Sequence, residues 1–155
     1  MKSQTDHAQV VVNPFLIYIL LALCAFFMQK FLPLPFLEQT SARLIGLMIM
    51  IINLLFGLPA LRGMSAVKTS PNPSRPTTSL VFSGPYRISR NPMYIGLTLF
   101  YAGMVIFFQL PWGLVLLPVV IWFITIWVII PEEQYLEQKF GAEYLDYKSE
   151  VRRWI

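Results

Sequence analysis

Four runs of apolar residues, each close to the thickness of a bilayer, take up most of residues 14–130. A helix needs about 20 apolar residues to cross the hydrocarbon core, and there the backbone can pair its polar groups only as helix or closed barrel. The first run covers about 14–32 and opens behind Asn13-Pro14. The second covers 44–61 and has Asn53 as its one strongly polar side chain. The third covers 93–110 and the fourth 112–130. Gln109, Pro111 and Trp112 leave almost no spacer between the last two, which predicts an antiparallel hairpin. The first run is too long for a cleaved signal peptide, and no small-residue cleavage site follows it. The sequence therefore predicts a single all-α integral membrane domain over residues 1–155. It would have four transmembrane helices, a loop at 62–92 and a helical tail at 131–155.

Charge orients this arrangement. Residues 62–92 carry Arg62, Lys68, Arg75, Arg87 and Arg90 and no acid. Cations concentrate on the cytoplasmic side of membrane proteins, so the loop is expected there, and four crossings put both termini on the same side. A net charge of +4 would suit nucleic acid in a soluble chain. In a chain that is 56% hydrophobic it reads as an orientation signal and a lipid-surface patch, with no nucleic-acid partner. Compact size and the lack of a targeting signal point to a bacterial inner membrane. Cys24 is the single cysteine and His7 the single histidine, so neither a disulfide framework nor a Cys/His metal centre is expected. Cys24 reads as a small buried apolar residue, Asn53 as an interhelical hydrogen-bonding group, and Gly46 and Gly57 as sites of close helix packing.

Three prolines in residues 65–79 give that part of the loop the look of a flexible linker. The tail starts on Pro131-Glu132-Glu133, a helix-start signature. Leu136, Phe140, Tyr144, Tyr147 and Val151 recur every three or four residues and give one apolar face, read as packing. Gly141 is expected to divide the tail into two helices. Acids outnumber bases in the tail, so it should fold over the basic loop instead of lying on anionic lipid.

The chemistry is concentrated on that face. Phosphate-cradling glycine loops, a GxSxG elbow and an HExxH pair are absent from the sequence. Tyr86, Arg87, Arg90, Asn91 and Tyr94 come from the loop and the start of the third run. Glu132, Glu133, Tyr135, Tyr144, Tyr147, Arg152, Arg153 and Trp154 come from the tail. Such a set suits a ligand with an aromatic ring, a hydroxylated sugar and charges of both signs. Rings stack on a base, a carboxylate takes a diol or an ammonium, and a guanidinium takes a carboxylate. Arg87 reads as a headgroup anchor.

GPYRISRNPMYIG, followed about forty residues later by EEQYLEQKFGAEYLDYKSEV, resembles the isoprenylcysteine carboxyl methyltransferase family. That family is similar in turn to the small membrane phospholipid methyltransferases. The resemblance covers roughly residues 76–155. It implies a membrane-embedded enzyme that uses S-adenosylmethionine without a Rossmann domain, with the cofactor held at the cytoplasmic surface by loop and tail. A lipophilic substrate would come from the bilayer. The residues it assigns to the cofactor are Thr78, Ser79, Leu80, Val81, Tyr86, Asn91, Pro92, Met93, Tyr94 and Glu133, with Asn91 standing where eukaryotic members have histidine. Those members also place an arginine four residues before the glutamate, to hold the substrate carboxylate. Here that position is Ile129, and Arg90 and Arg153 are the candidates to replace it as catalytic residues.

The expectation is thus a methyltransferase for an isoprenylcysteine-like carboxylate, a lipid amine or a hydrophobic thiol. The rival reading is a non-enzymatic four-helix membrane scaffold or transporter subunit.

Overall fold

The computed structural model describes residue 8, residues 12–72 and residues 75–155. His7 and positions 73–74 of the loop lie outside the described residues. Among the described residues every regular element is helical. The apolar helices are broadly exposed to their surroundings, which identifies an all-α integral membrane protein with about four crossings.

Helix α1 is Pro14–Phe31. Asn13 caps it by accepting the Phe15 amide at 3.0 Å, and Pro14 occupies the first turn, where an N–H has no partner. Cys24, expected inside, is exposed on this helix. At a membrane-facing position a thiol needs no protein partner, since lipid tails are as apolar as a core.

Helices α2 (Gln39–Ile52) and α3 (Leu54–Ala66) run on from one another, interrupted only at Asn53. Glu38 caps α2 by accepting from Thr40 and Ser41 amides at 2.9 and 3.0 Å. Asn53 does not bond across to another helix as expected. Its Nδ2 donates to the Met50 carbonyl at 2.8 Å, within its own chain turn. A carbonyl in the same turn is the nearest acceptor at the break.

Helix α4 (Pro92–Phe107) is the centre of the bundle. It packs on α2 and α3 on one side and meets α1 and α5 (Pro111–Val115) on the other. Gly46 and Gly103 make the α2–α4 crossing close. A Cβ at Gly46 would sit 2.6 Å from the Gly103 carbonyl oxygen, and one at Gly103 would sit 2.7 Å from the Gly46 oxygen. Small residues are how membrane helices gain close van der Waals contact where no hydrophobic effect drives them together.

Gln109, at φ 55°, turns the chain into α5. The remaining span is helix α6 (Leu117–Ile124), a π-helical segment (Thr125–Ile129) and helix α7 (Ile130–Phe140). The helix start expected at Pro131 is instead a point inside a continuous rod over residues 117–140. Pro131 has no N–H to give an α-helical ladder. The π segment just before it already shifts the ladder, with the Ile130 amide donating to the Thr125 carbonyl. Gly141 then breaks the rod at φ 54°, a conformation that favours glycine, and α8 (Ala142–Glu150) follows. The core collects Ile17, Tyr18, Tyr101, Val105, Val120, Ile124, Val128 and Ile129.

Candidate functional site

The loop and the tail meet over the membrane end of α3 and α4. Val81 and Tyr86 pack with Ala60 into a small second core, which fixes the stretch before a 3₁₀ turn at Gly84–Arg87. Gly63 leaves room for this, because a Cβ there would lie 3.1 Å from Val81 Cγ1.

The chain's last residues act as a strap. The Arg152 carbonyl accepts the Arg90 amide at 2.9 Å. The Arg153 carbonyl accepts Ser89 Oγ and Asn91 Nδ2, each at 3.0 Å. Trp154 Nε1 donates to Thr125 Oγ1 at 3.2 Å, which ties the strap to the π segment. Tyr147 donates its hydroxyl to the Tyr86 carbonyl at 2.7 Å. The tail does fold onto the basic loop.

Beneath the strap lies a three-membered charge cluster. Arg153 grips Glu133 with two parallel bonds, Nε to Oε1 at 3.1 Å and Nη2 to Oε2 at 2.8 Å. Arg90 Nη2 approaches Oε1 at 3.1 Å. Glu133 is 4% exposed and the Arg90 side chain 7%. Both oxygens of Glu133 are therefore occupied. Arg90 Nε and Nη1, by contrast, are buried and have no hydrogen-bond partner among the described residues. An unpaired buried guanidinium donor is costly, so these two atoms mark a place where an acceptor belongs.

Arg90 lines a cavity of about 620 Å³. Its polar end is formed by Thr69, Ser79, Tyr86, Arg90, Glu132, Tyr144 and Tyr147. Its apolar end continues between the helices along Leu61, Gly57, Gly96, Leu97 and Phe100, and Phe15 at the start of α1 also lines it. Glu132 accepts the Tyr94 hydroxyl at 2.9 Å and has no arginine partner among the described residues. Burial raises the hydroxyl pKa values of Tyr86, Tyr144 and Tyr147 well above the ordinary tyrosine value, so all three stay protonated at neutral pH. For Tyr86 the Glu132 charge adds to the rise; for Tyr147 the Arg90 charge opposes it.

Of the residues singled out in the sequence, Ser79, Leu80, Val81, Tyr86, Arg90, Asn91, Pro92, Met93, Tyr94 and Glu133 line this cavity. Thr78 and Arg153 do not. The Thr78 amide and hydroxyl are used on Thr69 Oγ1 and the Lys68 carbonyl, at 3.1 and 3.0 Å. Arg153 lies behind Glu133. Asn91 touches the cavity, but its Nδ2 serves the strap. Leu136, Tyr144 and Tyr147, which the periodicity assigns to packing, also line the cavity, and so does Thr69, buried in the stretch whose prolines suggest a linker. The periodicity of the tail did mark its inward face, but it does not distinguish a core from a cavity wall.

The model of the phospholipid methyltransferase family matches residues 41–143, about two thirds of the chain. Protein-S-isoprenylcysteine O-methyltransferases A and B of Arabidopsis thaliana are 36% and 35% identical over 72 residues. Each match covers 46% of this chain and 36% of the relative, so the chain spans little more than a third of the length of these relatives. A protein of Haemophilus influenzae with no assigned function is 63% identical over 27 residues, 17% of this chain and 43% of that one. No solved structure matches. The match runs from α2 to the start of α8, across the cavity and Glu133, and on it the chain belongs to the phospholipid methyltransferase family.

Proposed function

We propose that the protein is an S-adenosylmethionine-dependent methyltransferase that methylates a lipophilic acceptor drawn from the bilayer. The observation that carries this is the two-ended cavity, with Arg90 Nε and Nη1 unpaired at the polar end and apolar helix walls at the other. About 620 Å³ lies within the range of small-molecule sites, roughly 300–1,000 Å³.

The donor set fits the cofactor. Tyr86, Tyr144 and Tyr147 offer ring faces for a base and a sulfonium. Glu132, free of arginine, takes an ammonium or a ribose diol. When bound, the cofactor supplies an activated methyl group on a cationic sulfur. The chain's part is to hold acceptor and methyl in line, and such alignment is worth several kcal/mol, on the order of 7–11 at best. An acceptor that is already an anion, a thiolate or a free amine needs no histidine base.

Arg90 is the residue assigned to an anionic acceptor head. Ile129, where the family resemblance looks for an arginine, is fully buried in the core. Arg153 uses Nε and Nη2 on Glu133 and stays out of the cavity. That leaves Arg90, with the N–H groups of two nitrogens to give. Glu133 on this reading is the anchor of the cluster, and Glu132 the ligand carboxylate. Exposed Phe15, in the first turn of α1, and exposed Phe100 on α4 both line the cavity, which suits entry from lipid between α1 and α4. The basic loop and the tail are proposed to face the cytoplasm, in a bacterial inner membrane, with both termini on that side.

The test is calorimetric titration of the detergent-purified protein with S-adenosylhomocysteine, beside Glu132→Gln. Saturable binding by the wild type, weakened at least tenfold in the variant, is expected. No binding by a folded protein, in detergent and in lipid nanodiscs alike, overturns the proposal.

A further inference from the structure

Asn53 is the one strongly polar side chain in the second apolar run, and it lines the cavity at its apolar end. Its Nδ2 is committed to the Met50 carbonyl at 2.8 Å. That bond fixes the amide, because a flipped group would set oxygen against oxygen. Oδ1 is therefore turned away from Met50, and no described donor reaches it. It sits in a notch that two glycines leave open. A Cβ at Gly57 would lie 3.5 Å from Oδ1, and one at Gly96 would lie 3.3 Å from it. Gly57 and Gly96 both line the cavity as well.

A carbonyl oxygen at membrane depth has no water to satisfy it. Here it opens onto space assigned to a ligand. Gly96 lies four residues beyond Pro92 on α4, which places the notch about 6 Å deeper than the polar end.

Resting on the methyltransferase reading, we infer that Asn53 Oδ1 selects the acceptor by accepting a hydrogen bond from it. The acceptor carries a hydroxyl or amide N–H donor about one helical turn below its charged head. Diester lipids offer only acceptors at that depth and are discriminated against. Monoacyl or amide-linked amphiphiles are preferred. A site built to receive a donor rejects an analogue that lacks it, because its own polar atom is then left unpaired.

The experiment uses a matched pair of lipids, 1-palmitoyl-glycerol-3-phosphate with a free 2-hydroxyl and its 2-O-methyl ether. Dissociation constants are measured by calorimetry on the full chain, with S-adenosylhomocysteine present. The wild type is expected to bind the hydroxyl lipid about tenfold tighter, and Asn53→Leu to bind both equally. Gly57→Ala is the second variant. It sets a methyl 3.5 Å from Oδ1, meets nothing else within 4 Å outside its own helix and leaves the Met50 bond intact, so it reports even where Asn53→Leu does not fold. Its preference should fall to a few-fold or less. No preference in the wild type, including no saturable binding of either lipid, overturns the inference. So does a preference that survives in the folded variants. Binding of S-adenosylhomocysteine, read in the same titrations, keeps the two proposals apart. If it persists while selection is absent, only the role of Asn53 falls.

Discussion

Glu133→Gln takes the negative charge from a carboxylate that two guanidinium groups share. Arg153, with a side chain 35% exposed, can turn back to water and loses little. Arg90 cannot, because its side chain is 7% exposed and two of its nitrogens are unpaired even in the wild type. Removing one partner of a buried ion pair costs about 3–5 kcal/mol, mostly the cost of the charge left behind. For a chain of this size that lowers the melting temperature on the order of 10 °C. Glu132→Gln is the control. Its carboxylate is bonded to the Tyr94 hydroxyl, a donor that a glutamine oxygen can still accept, so stability should change by about 1 kcal/mol or less. The assay is thermal unfolding in detergent beside S-adenosylhomocysteine titration, for both variants. Glu133→Gln should lose stability first, and Glu132→Gln should lose affinity at wild-type stability. A Glu133→Gln protein that melts with the wild type yet fails to bind the ligand would refute the division of labour between the two glutamates.

Three further outcomes follow from the packing. Gly103→Val should prevent folding or membrane extraction as a monodisperse species, since its Cβ would meet backbone at 2.7 Å; Gly57→Ala, facing only an ordinary 3.5 Å contact, should behave as wild type in gel filtration. Thr98→Val removes the partner of the Tyr18 hydroxyl, 2.7 Å away, and should cost about 0.6–2 kcal/mol in reversible unfolding in mixed detergent. Trp154→Phe removes the bond to Thr125 and should cost about 1 kcal/mol while raising protease cleavage after Arg152 and Arg153, which mass spectrometry of limited digests would detect.

What the sequence made legible was mainly periodic or compositional. The four apolar runs, the division of the tail at Gly141 and the tail's return to the basic loop all have local signatures in hydrophobicity, φ freedom or charge. What it hid was what depends on partners far along the chain. Thr69 looks like part of a proline-rich linker, yet it is buried and accepts the Thr78 amide. The π segment lies inside an unbroken apolar run, and a change of ladder leaves no mark on composition. Arg153 looked like a ligand residue because arginine types suit carboxylates, and it does take one. That carboxylate is Glu133 of the same chain. Asn53, expected to bond between helices, bonds instead to the nearest carbonyl in its own turn, that of Met50.

The same reasoning explains why a strap of backbone carbonyls suits this site. A cavity that must accept both charged and apolar parts cannot be closed by a hydrophobic plug, since a plug would bury the donors of Arg90 with nothing to offset them. The carbonyls of Arg152 and Arg153 carry no net charge, so the Arg90 amide, Ser89 and Asn91 are held without adding net charge beside the cavity. The balance around the polar end is then set by four side chains. Burial raises the Glu132 carboxyl pKa to about 7, so Arg90 and Arg153 are offset by Glu132 and Glu133 only above that pH, and below it the cluster carries one positive charge before a ligand enters. A zwitterionic ligand leaves that balance unchanged. A cationic sulfonium adds one positive charge, which an anionic acceptor head on Arg90 would offset. For the proposed cofactor and an anionic acceptor, this balance favours binding the two together over binding either one alone.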